Sequence, residues 1–101
     1  DIGHFFNDST ESIYSSLQML NKTDNIIKKN DWIINNIDST IICEKFKIFN
    51  YSNMMKSKIS ETLKLNSNKI NIKGKSTDGL GFIGRNKGIS ALAICSIYKK
   101  Q

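Results

Sequence analysis

From Trp32 to Cys43 the chain passes through Ile33, Ile34, Ile37, Ile41 and Ile42, so an alternating segment carries isoleucine on both of its faces. A strand of that kind needs cover on both sides, which commits the chain to a layered fold. A second segment, Ile89 to Tyr98, repeats the pattern and reads as another long strand with two apolar faces. Lys69 to Lys73 alternates Lys, Ile, Asn, Ile, Lys, which predicts a short strand with one wet face. Between the strands lie helical periodicities. Asp8 with Glu11 forms a start signal, and Ile13, Leu17, Leu20 and Ile27 then recur at helical spacing, predicting a helix from Glu11 to Lys29. Asn50 is placed to cap a second helix whose stripe is Tyr51, Met55, Ile59 and Leu63, ending near Leu65. Five glycines between Gly74 and Gly88 predict a sharply turning loop. The expected class is α+β: a mixed β-sheet with helices packed on one face.

With 101 residues the expectation is a single domain, residues 1–101. An apolar fraction of 39% and a charged fraction of 24% exclude wholesale disorder. No apolar run approaches the roughly 18 residues of a membrane span, and no signal peptide is read at the start. Cys43 and Cys95 lie far apart in apolar stretches, the usual setting of buried free thiols. The net charge of +6 permits polyanionic partners, yet the lysines are scattered and Arg85 is the only arginine.

Four segments in chain order carry a resemblance: Asp1-Ile2-Gly3, the strand Asn36-Ile37-Asp38-Ser39-Thr40-Ile41-Ile42, Asn71-Ile72-Lys73, and the string Leu80-Gly81-Phe82-Ile83-Gly84-Arg85-Asn86-Lys87-Gly88-Ile89. Together they resemble the 2-C-methyl-D-erythritol 2,4-cyclodiphosphate synthases of the non-mevalonate isoprenoid pathway. The glycine-rich string is the most specific of the four. The resemblance implies a homotrimer with sheets around a central threefold cavity and active sites between subunits. It implies a phosphorus–oxygen lyase converting 4-CDP-2-C-methyl-D-erythritol 2-phosphate to the cyclodiphosphate plus CMP. It also implies that the chain is the C-terminal two-thirds of such a protomer.

Carried over position by position, the resemblance assigns Asp1, Ile2 and Gly3 to the methylerythritol portion. Phe6, Asn7, Asp8, Ser9 and Thr10 fall beside the substrate. Cys43, Glu44, Lys45, Phe46, Lys47, Ile48 and Phe49 fall in a cytosine pocket read largely through main-chain groups. Lys75, Ser76, Thr77 and Asp78 match a family loop in which Ser76 takes the place of the catalytic hydroxyl. Asp78 takes that of the carboxylate holding a magnesium or manganese ion on the diphosphate. Phe82 and Arg85 match positions lining the central cavity, where an isoprenoid diphosphate is expected.

Departures from the family pattern sit at Asn7, Lys75, Asp78 and Lys87. Lys75 adds a cation near the phosphates, and Lys87 replaces the acidic neighbour of Arg85, which makes the cavity more attractive to anions. The family's zinc ligands belong to a segment before Asp-Ile-Gly; His4 alone does not make a tetrahedral site. Blander roles stand beside these: Asp8 as a helix cap, Asp78 as a turn residue, Met54 and Met55 as helix packing. Two alternatives to the lyase are carried forward. One is a catalytically inactive trimeric subunit that binds CDP or isoprenoid diphosphate. The other, less favoured, is a small basic RNA-binding module using Lys45 and Lys47 with Phe46 and Phe49 as a stacking platform. The residues do not choose a compartment; the family works in bacterial cytoplasm and in plastid-type organelles.

Overall fold

The structure, a computed structural model, describes residues 15–101. Helix α1 spans Ser16–Lys29 and is opened by a capping box: the Gln18 amide donates to Ser15 Oγ at 3.1 Å, and the Ser15 amide donates to Gln18 Oε1 at 2.7 Å. The predicted start at Glu11 is thus corrected to Ser16, because Ser15 and Gln18 supply the cap spacing closer to the apolar stripe. Lys28 and Lys29 occupy the last turn, where the helix dipole favours cations. Asp24 is buried at 3% exposure and ion-pairs with Lys28 at 2.7 Å, one turn along the same helix.

Strand β1 is Trp32–Ile42, and the chain then makes a 3-10 turn at Ile48–Asn50 before helix α2, Ser52–Leu63. Asn50 is not the cap of α2. The Tyr51 amide donates to the Ile48 carbonyl at 2.9 Å, so the turn feeds directly into the helix and leaves Asn50 within the turn. Lys64 in the left-handed region, φ +52°, ends α2 just after Leu63. Strand β2 is Ile70–Lys75, a one-turn helix α3 is Gly81–Gly84, and strand β3 is Ser90–Lys99. The glycine-rich stretch is therefore a loop around one helical turn.

The three strands form a mixed sheet in the order β2-β1-β3. β2 lies parallel to β1, with Ile37 beside Ile70 and Ile42 beside Lys75; α2 makes the crossover that parallel neighbours require. β3 lies antiparallel to β1, from Trp32 beside Lys99 to Ile42 beside Ser90, with an irregularity at Ile34/Asn36. Helix α1 packs on β1, α2 packs on β2, and the two helices touch each other, so they cover the same face. The core lies there: Leu63 of α2, Ile70 and Ile72 of β2, and Cys43 beyond β1 are buried.

Two burial expectations are corrected. β1 is half-covered rather than buried on both faces, and β3 is exposed along nearly its whole length, including Leu92 at 66% and Ile94 at 74%. Within the described residues, the layer that would cover the second face is not supplied by this chain. Cys95 accordingly is exposed on β3, whereas Cys43 is buried; both are free thiols. Partial shielding of the Cys95 thiol, with repulsion from the Asp24 carboxylate, pushes its pKa up and keeps it protonated.

Candidate active site

Because β1 and β2 run parallel, both chains leave the sheet at the same end, Ile42 beside Lys75. Crevices outside the carboxyl ends of parallel strands are where open sheets place ligands. The pairing continues past the sheet, with the Cys43 amide donating to the Lys75 carbonyl at 2.9 Å. A cleft of about 510 Å³ opens here, within the volume range of small-ligand sites. One wall is Cys43, Glu44, Phe46, Lys47, Ile48, Phe49 and Ser52; the other is Ile72 through Ser76. The two segments are brought together although about 30 residues separate them.

Gly74 makes this approach possible. A Cβ there would stand 2.6 Å from Ile48 Cβ and 2.9 Å from its Cγ1, so any larger residue would push the 3-10 turn off the strand. Phe49, 88% exposed, and Phe46 present aromatic surface at the cleft. Phe46 meets the Tyr51 ring edge-on with centroids 6.1 Å apart, and Lys45 stands over the Phe46 ring at 5.5 Å. Lys47 and Lys75 add positive charge to opposite walls.

The loop after Lys75 is folded by its own side chains. Ser76 Oγ donates to Asp78 Oδ1 at 3.1 Å and accepts the Asp78 amide at 3.2 Å, with Asp78 in the left-handed region at φ +54°. The Thr77 amide donates to Glu44 Oε1 at 2.6 Å, and the Thr77 hydroxyl lies 2.7 Å from the Leu80 carbonyl and 3.2 Å from the same Glu44 oxygen. Beyond it the loop closes tightly, since a Cβ on Gly84 would stand 2.1 Å from the Gly79 carbonyl carbon. Ser76 thus faces the cleft with Asp78 bonded to it.

On the open face of the sheet, Asp38 accepts from Lys73 Nζ at 2.7 Å and from Asn71 Nδ2 at 3.0 Å. The Lys73 ammonium first, and the Asn71 amide second, hold the Asp38 carboxyl below the usual carboxylate range.

The cytosine-pocket segment Cys43–Phe49 and the pair Lys75 and Ser76 are brought together; Thr77 and Asp78 stand one step behind. Phe82 and Arg85 lie apart from the cleft lining, in and beside α3, with the Phe82 ring against Gly88. Asp1, Ile2, Gly3, Phe6, Asn7, Asp8, Ser9 and Thr10 lie outside the described residues. Sequence reasoning missed Gly74, Ile72, Lys73 and Ser52 as cleft residues, and it missed the partner of Glu44. A glycine interrupting the alternation of β2 was the available signal for Gly74. Among the described residues no three histidine, cysteine, aspartate or glutamate side chains gather as a metal site.

The model of the YgbB family matches residues 1–98. The chain belongs to the YgbB family. Curated YgbB-type relatives include the 2-C-methyl-D-erythritol 2,4-cyclodiphosphate synthase of Caldicellulosiruptor bescii, 46% identical over 99 residues that cover 96% of this chain and 63% of that one. The same enzyme of Clostridium botulinum (strain Alaska E43 / Type E3) is 44% identical over 102 residues, covering 99% and 65%. The chain thus spans just under two-thirds of the length of these relatives. Among solved structures, the CDP complex of IspF from Plasmodium falciparum superposes with a TM-score of 0.88 at 30% identity, covering 100% of this chain and 61% of that one. The bifunctional IspDF of Campylobacter jejuni gives a TM-score of 0.93 at 28% identity, covering 98% and 27%. The fold described above is therefore that of the YgbB family.

Proposed function

We propose that this chain provides the nucleotide-binding and phosphoryl-transfer part of a 2-C-methyl-D-erythritol 2,4-cyclodiphosphate synthase. The observation that carries the reading is the meeting of Cys43–Phe49 with Lys75–Ser76 in one cleft. Curated relatives bearing that enzyme name, and a relative solved as a CDP complex, support it.

In this reading the base rests among Phe46, Ile48 and Phe49, and the main chain of residues 43–49 distinguishes it. Lys47 and Lys75 draw the diphosphate toward Ser76. An oxygen of the 2-phosphate forms a bond to the β-phosphorus while the bond from that phosphorus to the bridging oxygen breaks, and CMP leaves with that oxygen. No covalent enzyme intermediate is required, so positioning and charge neutralisation carry the rate. Ser76 donates its hydroxyl to the transferring phosphoryl group. Asp78 offers a hard carboxylate oxygen, which would suit a magnesium or manganese ion held on the diphosphate. When bound, that ion neutralises charge on the diphosphate. Among the described residues no histidine–cysteine set suited to zinc gathers. Asp1, Ile2, Gly3 and residues 6–10 are assigned to the methylerythritol side. A homotrimer would bring the exposed β3 faces together, with Phe82 and Arg85 toward a central cavity able to take an isoprenoid diphosphate.

The test is incubation with the CDP-linked substrate and magnesium, following CMP release. CMP with the cyclic diphosphate is the expected result, and Ser76→Ala should slow turnover while leaving CDP affinity nearly intact. CDP with magnesium should also raise the melting temperature. CDP binding without turnover would favour the inactive binding subunit. An unchanged melt beside tight, steeply salt-dependent RNA binding would replace both readings.

A further inference from the structure

Glu44 occupies an unusual place for a carboxylate: it lines a cleft with Lys47 and Lys75 on its walls, yet among the described residues neither of its oxygens pairs with a lysine. Its Oε1 instead accepts the Thr77 amide at 2.6 Å, with the Thr77 hydroxyl at 3.2 Å. Thr77 sits between Ser76 and Asp78, whose hydroxyl and carboxylate are bonded to each other at 3.1 Å. Glu44 also follows Cys43, whose amide bonds to the Lys75 carbonyl at 2.9 Å. The segment on the base side of the cleft and the loop on its phosphate side are therefore joined by two links, one main-chain and one through the Glu44 carboxylate.

We infer that Glu44 is a positioning residue for the proposed reaction, acting through Thr77 to hold the Ser76 hydroxyl in register with the nucleotide pocket. The chemistry suits the task. A short bond from an amide to a carboxylate is charge-assisted and stronger than a neutral one. It lies half-buried, and it is the bond that ties the left-handed turn at Asp78, itself closed by the Leu80 amide on the Thr77 carbonyl and by the Ser76 hydroxyl, to the opposite wall of the cleft. The link also couples the two halves of the ligand: whatever orders residues 43–49 around a base orders the loop that meets the phosphates.

The inference rests on the proposed function, and two measurements keep the two separable. Glu44→Ala and Glu44→Gln are compared with the unaltered protein. Amide hydrogen exchange at Thr77 reads the clamp directly: exchange should quicken by about tenfold or more in Glu44→Ala and stay near its original rate in Glu44→Gln, which keeps an acceptor oxygen. Steady-state kinetics reads the consequence: kcat should fall about 10- to 100-fold in Glu44→Ala, the scale of a small misplacement, with CDP affinity changed less than about threefold. Glu44→Gln should recover most of the loss. If Glu44 acted by its charge on the diphosphate, both variants would behave alike and CDP affinity would rise; that pattern overturns the inference, as does unchanged Thr77 exchange in Glu44→Ala. Full kcat in Glu44→Ala beside fast Thr77 exchange would equally remove Glu44 from the reaction. An unaltered protein that neither binds CDP nor releases CMP defeats the proposed function and the positioning role together, while Thr77 exchange still reports whether the clamp exists.

Discussion

The two edges of the sheet are built on opposite terms. At the β2 edge the chain satisfies itself: Ile70 and Ile72 are buried under α2, Gly74 admits the 3-10 turn, and Glu44 ties down the next loop. At the β3 edge the backbone pairs with β1 and the end of the strand is fastened, the Lys100 amide to the Asp31 carbonyl at 2.6 Å and Lys99 Nζ over Trp32 at 4.9 Å. Its apolar side chains nevertheless face outward. Among the described residues nothing covers this row of leucine and isoleucine, and in the proposed trimer it would be an interaction surface. One edge thus builds a cleft from its own residues, and the other leaves apolar surface that the described residues do not cover.

The sharpest way to break that contrast is a charge on β3. In the proposed trimer Ile94→Asp should shift the protein to monomer by orders of magnitude at micromolar concentration, as read by sedimentation; an unchanged oligomer would return β3 to the status of a free surface. At the other edge, Gly74→Val should cost about 2 to 3 kcal/mol in urea unfolding and weaken CDP binding at least about tenfold, because the Ile48 turn must move. Equal stability in that variant would show the turn to be loosely seated.

A smaller effect separates the open face near β2 from that of β3. Asp38 is held below the usual carboxylate range by Lys73 and Asn71, so the folded state binds its proton less readily than the unfolded chain does. Its contribution is complete above about pH 4 and drains away as pH falls through the lowered folded value. Asp38→Asn should therefore flatten the acid limb of the stability curve, measured by urea unfolding between neutral and acid pH. A limb of unchanged slope would place the acid sensitivity elsewhere. Smallest is Lys64→Gly. Lys64 ends α2 at φ +52°, and glycine there should stabilise by about 0.5 kcal/mol, visible as a slightly higher denaturation midpoint. A fall in stability would mean the lysine side chain contributes more than its backbone costs.

Much of this was legible in the residues. β-branched runs marked β1 and β3, periodicity marked both helices, and the glycine-rich string pointed to the family that the chain belongs to. Boundaries were less legible where two signals competed. Asp8 with Glu11 and Ser15 with Gln18 both offer the cap spacing, and the choice depends on which turn meets the apolar stripe. Asn50 had the chemistry of a cap but stands inside a 3-10 turn. Within the site, the resemblance named Glu44 as one pocket residue among seven, and nothing local foretold its bond to a residue 33 positions away.

Local chemistry fixed what each segment could become, because alternation, capping and positive-φ glycines act within a few residues of one another. Which segments meet was settled only by tertiary structure. The parallel pairing of β1 with β2 sets residues 43–49 beside 72–76, and the absence of a Cβ at Gly74 lets them touch. Burial was likewise undetermined by pattern: two-faced apolar strands state that cover is needed, and only the packing shows which face the chain covers with its own helices.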